Sequence, residues 1–276
     1  MTAACVIGWP VAHSRSPLIH GYWLRTYAVA GSYVRRAVPP EGLDAFLRGM
    51  RAEGLAGCNV TLPHKEGALR AAAEATAAAR AVGAANTLWF EAGRLIADNT
   101  DGVGFLAHVR AQLPHFPRPD RPVSVLGAGG AARAIIHALL AEGAPHISVF
   151  NRTRARAEQV ALHFGARVSA HAWEERAAHS RGAGALINAT SLGMQGSAPL
   201  DLDVAALPAD CVVADIVYVP LATPLLAAAR TRGLATIDGL GMLMHQAVPG
   251  FQRWFGVRPQ VTEELRSLLV ADIGAR

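Results

Sequence analysis

The chain has 276 residues, 51% of them hydrophobic and 17% charged, which suits two mid-sized domains or one large one with a substantial core and excludes a disordered polymer. Its net charge of +5 does not point to nucleic acid: the arginines are spread among carboxylates, without a basic block interleaved with aromatics, a helix-turn-helix or a zinc-finger pattern. The longest uncharged apolar run, 216–229, holds Pro220 and Pro224 and is too short to span a bilayer, and residues 1–10 lack the basic start of a signal peptide.

Apolar runs suited to buried strands alternate with longer amphipathic stretches. Residues 3–8 read as a strand, 17–28 as a helix, 33–38 as a strand, 43–53 as a helix and 55–61 as a strand. Pro63 then opens an Ala-rich helix to about residue 82, favoured by intrinsic propensity. Residues 87–90 and 94–97 form a hairpin about Glu91-Ala92-Gly93, and 102–112 a helix. Residues 113–122, with four prolines, make a loop. A second series has strands at 123–126, 146–150, 185–188 and 211–215, with helices at 131–141, 155–164 and 224–232. Helical stretches at 241–254 and 259–270 complete it. The expected fold class is α/β, with mostly parallel sheets covered by helices.

Lys65 is the one lysine among 26 basic side chains. Arginine stays charged at any workable pH, whereas burial and neighbours move a lysine's proton affinity. Lys65 also falls in the first turn of a helix, where the helix dipole opposes a cation. Both facts suit proton transfer better than surface solvation. The segment leading to it, Gly57-Cys-Asn59-Val-Thr61-Leu-Pro63-His-Lys65, is a strand end, a polar pair and a helix start. His13-Ser14-Arg15-Ser16-Pro17 has the same design: Pro17 suits the first helical position and Ser16 the N-cap. Two hydroxyls at the positive end of a helix also suit a carboxylate ligand. Asn86, Thr87, Asp98 and Asp101 place further polar groups beside apolar runs. Capping explains Asp101 as well as chemistry does.

Val123-Ser-Val-Leu-Gly127-Ala-Gly129-Gly130-Ala-Ala132 is a GxGxxA fingerprint with a strand before it and a helix after it. Gly127 permits a tight turn, Gly129 lets backbone amides approach a pyrophosphate, and Ala132 lets helix and strand pack closely. The next strand ends in Asn151-Arg152-Thr153, with Arg156 one turn on. A carboxylate there would accept from a ribose 2′-hydroxyl; guanidinium groups favour a 2′-phosphate instead. The expected cofactor is therefore NADP, with Arg154 on a solvated face. Cys5, Cys58 and Cys211 have no metal spacing and suit reduced thiols in a cytoplasmic protein. The histidines show neither HExxH nor a Cys/His cluster, so no metal site is expected.

Taken together, these segments resemble the shikimate dehydrogenase family nearly end to end. The resemblance is carried by Gly8-Trp-Pro-Val-Ala-His-Ser-Arg-Ser-Pro17, Asn59-Val-Thr-Leu-Pro-His-Lys65, Ala85-Asn-Thr87, Asp98-Asn-Thr-Asp101 and the Gly127 loop. It continues through Asn151-Arg-Thr153, Asn188-Ala-Thr-Ser-Leu-Gly-Met194, Asp215-Ile-Val-Tyr218 with Pro220, and Asp238-Gly-Leu-Gly-Met-Leu-Met-His-Gln246. Gly21 and Ala77 depart from residues common in the family. The resemblance implies NADP-dependent reduction of 3-dehydroshikimate to shikimate, on the route to aromatic amino acids. Lys65 and Asp101 would be the catalytic pair. Ser14, Ser16, Asn59, Thr61, Asn86, Tyr218 and Gln246 would line the substrate pocket. Gly127, Ala128, Gly129, Gly130, Ala131, Asn151, Arg152, Thr153, Arg156, Thr190, Ile216 and Gly239 would contact NADP. The implied architecture is a substrate domain over residues 1–101, completed by 237–276, and a Rossmann-type domain over 102–236, with the active site in the cleft between them. A relative acting on quinate or an aminated shikimate is the alternative within enzymes. A non-catalytic NADP-sensing protein is the alternative outside them. Neither nucleic acid nor membrane is an expected partner, and the oligomeric state stays open between monomer and homodimer.

Overall fold

The computed structural model describes residues 1–275. By internal contacts the chain forms two units, Met1–Asp101 with residues 244–275, and Gly102–Leu243.

The first unit begins with β1 (Thr2–Gly8), α1 (Ser16–Thr26), β2 (Gly31–Ala37), α2 (Leu43–Gly49) and β3 (Leu55–Val60). It continues with α3 (Lys65–Ala71), β4 (Glu74–Ala75), α4 (Ala77–Val82), β5 (Thr87–Glu91) and β6 (Arg94–Asp98). Its six-stranded sheet has the order β2-β1-β3-β5-β6-β4. β1 pairs in parallel with β2 and β3, and β4 with β6, while β3–β5 and β5–β6 are antiparallel. Alternate residues of β1 and β3 (Cys5, Ile7, Cys58 and Val60) bury one face with Leu43, Leu47 and Ala68 of the covering helices, as the two-residue period of a strand requires.

The Ala-rich stretch is not one helix. It stops at Ala71, and Ala73 and Thr76 donate their N–H groups to Leu95 and Ala97 on β6, forming the short edge strand β4. Pairing to a sheet edge outweighs alanine's few tenths of a kcal/mol of helix preference per residue. Thr76 then caps α4 by accepting from Ala79 N–H. The hairpin between β5 and β6 closes on two residues, Ala92 and Gly93, with φ of +48° and +79°. Positive φ at both is the geometry that matches strand twist in a two-residue hairpin.

The second unit holds α5 (Asp101–Gln112, its first residue in the first unit), β7 (Val123–Leu126), α6 (Gly130–Ala141), β8 (Ile147–Phe150) and α7 (Arg154–Phe164). It goes on through β9 (Val168–His171), α8 (Arg176–His179), β10 (Ala185–Asn188), β11 (Val212–Asp215), α9 (Pro224–Thr231) and β12 (Ala235–Ile237). Its sheet is parallel throughout, in the order β12-β11-β10-β7-β8-β9. That is the doubly wound dinucleotide-binding order, whose direction reverses between β7 and β10. Val123 and Val125 face one core with Ile135, Leu139 and Phe105, and Leu126 faces another with Leu186, Val213 and Leu226.

Three differences from the sequence reading have local causes. β12 pairs with β11, and Gly239 packs on the backbone of Ile216, so the second unit runs on to Leu243 rather than ending at 236. The stretch 241–254 is two helices, α10 (Gly239–His245) and α11 (Ala247–Phe255), meeting at Gln246. The break puts Pro249 in the first turn of α11, where its missing N–H costs no hydrogen bond. The last helix, α12 (Glu263–Gly274), starts later than residue 259 because Thr262 caps it, accepting from Leu265 N–H, with Glu263 and Glu264 in the first turn.

Candidate active site

In the first unit, the loop between β3 and α3 is fixed before the lysine is reached. Thr61 N–H donates to Ile7 O (2.9 Å), and buried His64 donates from Nε2 to Val38 O (2.7 Å). Lys65 then opens α3, and its Nζ donates to Asp101 Oδ2 at 2.6 Å. The lysine side chain keeps 23% of its exposure, and the aspartate 10%. The pair is short and charge-assisted, yet its amine remains open to a ligand.

Asp101 begins α5, but its carboxylate does not cap the helix. Its other oxygen, Oδ1, accepts from Asn86 Nδ2 (2.8 Å), which also donates to Gln246 Oε1 (3.3 Å). Asn86 is held from behind: its Oδ1 accepts from Thr87 Oγ1 (2.9 Å) and from Thr100 N–H (2.9 Å). Thr100 Oγ1 in turn donates to Gln246 O (2.8 Å). Capping of the Asp98–Asp101 segment falls to other groups, since Asp98 Oδ1 accepts from Asn99 N–H (2.7 Å) and Asn99 Oδ1 from Asp101 N–H (3.2 Å).

Asn59 joins this network through Nδ2, which donates to Asn86 O (3.2 Å) and Thr87 Oγ1 (3.3 Å). Its Oδ1 accepts from Tyr33 OH at 2.6 Å. Burial pushes the Tyr33 hydroxyl's pKa up, against a hydrogen bond from Ser16. Ser14 and Ser16 lie together: Ser16 N–H donates to Ser14 Oγ (3.4 Å), and the two hydroxyls are 3.3 Å apart. Ser16 is therefore not the N-cap of α1. Arg15 occupies that position without a side-chain cap, and Ser14 Oγ serves the amide instead. Arg35 donates to Ser14 O (2.9 and 2.6 Å), adding a guanidinium the sequence did not single out.

Behind this group lies His20, fully buried and stacked 3.9 Å from the Tyr33 ring, with Phe251 and Trp254 beyond. Neither ring nitrogen makes a hydrogen bond. Burial pulls its pKa down to about 3, against a smaller upward pull from Asn59. Tyr33 and His20 were not legible as site residues, since a helix position and an edge-strand position meet only when β2 is placed beside β1.

In the second unit the glycine loop follows β7. Gly127 has φ +108°, and a Cβ there would stand 2.9 Å from Ala189 O and 3.1 Å from Thr190 Cγ2. Only glycine fits a turn both left-handed and pressed on the neighbouring strand's loop. Gly129 and Gly130 instead face open space, and Gly129 precedes α6 at the N-cap position, which has no side-chain cap. Uncapped amides at the N-terminus of a 12-residue helix, beside room a side chain would have filled, fit a pyrophosphate. Ala128 and Ala131 complete this loop and the first helical turn.

At the end of β8, Asn151 Nδ2 donates to Thr153 O (2.9 Å), and Arg154 pairs with Glu158 (2.9 Å). Among the described residues, exposed Arg152 and Arg156 pair with no carboxylate, so both guanidinium groups are available to a phosphate. After β10, Asn188 Oδ1 accepts from Thr190 Oγ1 (2.7 Å), and its Nδ2 donates to Asp215 Oδ1 (2.9 Å). Asp215 also accepts from Val217 N–H (3.0 Å) and Thr223 Oγ1 (2.8 Å). Burial raises its pKa to about 6 despite these bonds. This network shapes the loop that carries Ile216 and Tyr218, with Gly239 packed on Ile216. Tyr218 belongs to this unit, not to the one that holds the other substrate candidates. The fold also brings one ligand-type atom from each of His171, Glu175 and His179 within 4.8 Å of one another, a grouping that no sequence spacing had marked.

Two family descriptions match the chain, "Shikimate dehydrogenase substrate binding domain" over residues 6–88 and "Shikimate / quinate 5-dehydrogenase" over residues 113–195. A protein of Azorhizobium caulinodans named shikimate dehydrogenase (NADP(+)) is 54% identical, covering 100% of this chain and 98% of its own length. The crystal structure of shikimate 5-dehydrogenase from Thermus thermophilus in complex with NADP(H) and shikimate superposes with TM-score 0.86 at 35% identity, covering 100% and 99% of the two chains. Quinate dehydrogenase from Corynebacterium glutamicum in complex with NAD superposes with TM-score 0.90 at 29% identity, covering 98% and 99%.

Proposed function

The chain belongs to the shikimate dehydrogenase family, and on that premise we propose that it interconverts 3-dehydroshikimate and shikimate with NADP. The observation that carries the chemistry is the 2.6 Å contact of Lys65 Nζ with an Asp101 carboxylate that Asn86 also anchors. When bound, the nicotinamide supplies or accepts the hydride at the carbonyl carbon. The chain's residues handle the proton. In reduction Lys65 gives a proton to the carbonyl oxygen as negative charge develops there, and in oxidation it takes one from the hydroxyl. Asp101 orients the ammonium and accepts from a neighbouring substrate hydroxyl. Asn86 fixes the carboxylate, Gln246 accepts from Asn86, and both offer further amide groups. Asn59 and Thr61 complete the hydroxyl contacts, and Ser14 and Ser16 donate to the substrate carboxylate. Tyr218 contributes a further hydroxyl to substrate.

Gly127–Ala131 would hold the cofactor's pyrophosphate, and Asn151, Arg152, Thr153 and Arg156 its 2′-phosphate. Thr190, Ile216 and Gly239 would hold the nicotinamide half. We place the protein in the cytoplasm, a reading supported by its cysteines. Cys5 and Cys58 stand at paired positions on β1 and β3 and remain buried free thiols, as a reducing compartment allows. No helix among the described residues is long and apolar enough to cross a membrane.

The test is a matrix of initial rates, with shikimate, quinate and an aminated shikimate, each with NADP and with NAD. The highest kcat/KM is expected for shikimate with NADP. A preference for quinate or the amine transfers the reading to that relative, and absence of turnover with all three sinks it.

A further inference from the structure

We propose that the second unit carries a transition-metal site made of His171, Glu175 and His179. His171 ends β9, Glu175 closes the short 3-10 turn Trp173–Glu175 that follows, and His179 ends α8. The reversal from strand to helix brings one nitrogen or carboxylate oxygen from each to within 4.8 Å of the others.

Two of the three ligands are held by neighbours through one atom, which leaves the other for an ion. His171 Nε2 lies 2.7 Å from Ser169 Oγ, which itself lies 2.8 Å from His146 Nε2. This leaves Nδ1 of His171 to ligate. A ligating imidazole commonly has its other nitrogen held in this way, and such support sets ring orientation. Glu175 Oε2 accepts from Ala172 N–H (2.9 Å), so Oε1 is left. The His171 and His179 rings are 4.0 Å apart, and Phe150 flanks both at 5.3 and 6.1 Å, shielding one side.

Donor atoms around a tetrahedral ion with bonds of about 2.0–2.1 Å stand roughly 3.4 Å apart. The widest-spaced ligands must therefore close by up to about 1.4 Å. Glu175 and His179 are exposed, so side-chain torsions suffice. Two imidazoles and one carboxylate select Zn²⁺, Co²⁺ or Ni²⁺ over the hard, oxygen-seeking Mg²⁺ and Ca²⁺. The nearby positive charge is already committed. Arg154 pairs with Glu158, and Arg176 stacks on Trp173 while donating to Trp173 O and Asp201 O.

The experiment uses the full chain, stripped with chelator. ZnCl₂ is titrated by calorimetry, and CoCl₂ is followed by its visible absorption. One equivalent of each ion is expected, with cobalt bands of tetrahedral intensity and no heat from MgCl₂. His171→Ala or His179→Ala should abolish binding with circular dichroism unchanged. Ser169→Ala should weaken it about tenfold, and His115→Ala, at an exposed position elsewhere, should leave it intact. If His179→Ala binds zinc as the parent does, or the parent binds none below millimolar zinc, the proposal is wrong.

Discussion

In the proposed mechanism Lys65 would serve the substrate and Arg152 the cofactor, so their replacement should give opposite kinetic signatures. Lys65→Ala is expected to lower kcat by about 10²–10⁴, the usual contribution of a positioned general acid, with circular dichroism and melting unchanged. Lys65→Arg should also be poor, because a guanidinium holds its proton too tightly to exchange it. Arg152→Ala should leave kcat with saturating NADPH nearly intact while raising its KM by roughly 10–100-fold, the value of one charge-assisted contact. The KM for NADH should not move, and an equal loss for both cofactors would remove Arg152 from the 2′-phosphate. Gln246 came from the family resemblance alone, whereas Lys65, Asn86 and Asp101 could be marked as polar groups at strand ends and helix starts, with Asp101 open between a cap and chemistry. Tyr33 and His20 could not. Tyr33's hold on Asn59, and the stacking of His20 behind it, arise from strand order, and neither residue lies in a polar pattern of its own.

The hairpin closed by Ala92 and Gly93 shows how far local sequence determines an element. Its existence follows from the flanking alternation and the glycine, but the sequence reads as a turn of three residues, Glu91 to Gly93, whereas Glu91 pairs with Arg94 and leaves two, of which alanine is the poorer. An L-residue with a Cβ pays about 1–2 kcal/mol in the left-handed region. Ala92→Asn, giving the Asn-Gly turn that suits both angles, should stabilise the protein by about 1 kcal/mol and raise Tm by roughly 2–4 °C. An unchanged or lower Tm would mean that the strain is relieved elsewhere. Elements decided by tertiary pairing were the ones sequence misjudged. The alanine run after Pro63 carries every mark of a continuous helix. Its interruption depends on the free edge of β6, about twenty residues further on. The short edge strands β9 and β12 were missed for a related reason: each has a neighbour on one side only and too few residues to display a period. The parallel order of the second sheet needed no such help, because repeated strand-helix units allow few alternatives.

Acid should act on the two units in opposite senses. His20 is neutral in the folded first unit down to about pH 3 but takes a proton near pH 6.5 once unfolded. The unfolded state therefore binds more protons below pH 6.5, and stability falls as pH drops, by roughly 2 kcal/mol at pH 5. Asp215 has the reverse sign. Folded, it is protonated below about pH 6, whereas unfolded it waits until about 3.9. Its burial costs the second unit roughly 3 kcal/mol at pH 7, and that cost is relieved as pH falls through 6 toward 4. Hydrogen exchange at pH 7 and pH 5, corrected for intrinsic rates, should show protection lost first in the first unit. His20→Phe should remove that loss, and Asp215→Asn should flatten the gain in the second. Uniform loss in both units, unaltered by either variant, would refute the assignment. The pairing of Lys65 with Asp101 also gives the protein a practical handle. Every other basic side chain besides histidine is a guanidinium, which acylating reagents ignore near neutrality. Apart from the terminal α-amine, such a reagent therefore has one nitrogen to find, and that nitrogen lies against a carboxylate with 23% of its side chain exposed. A single acyl group counted by mass spectrometry should coincide with complete inactivation, and bound substrate should slow both together.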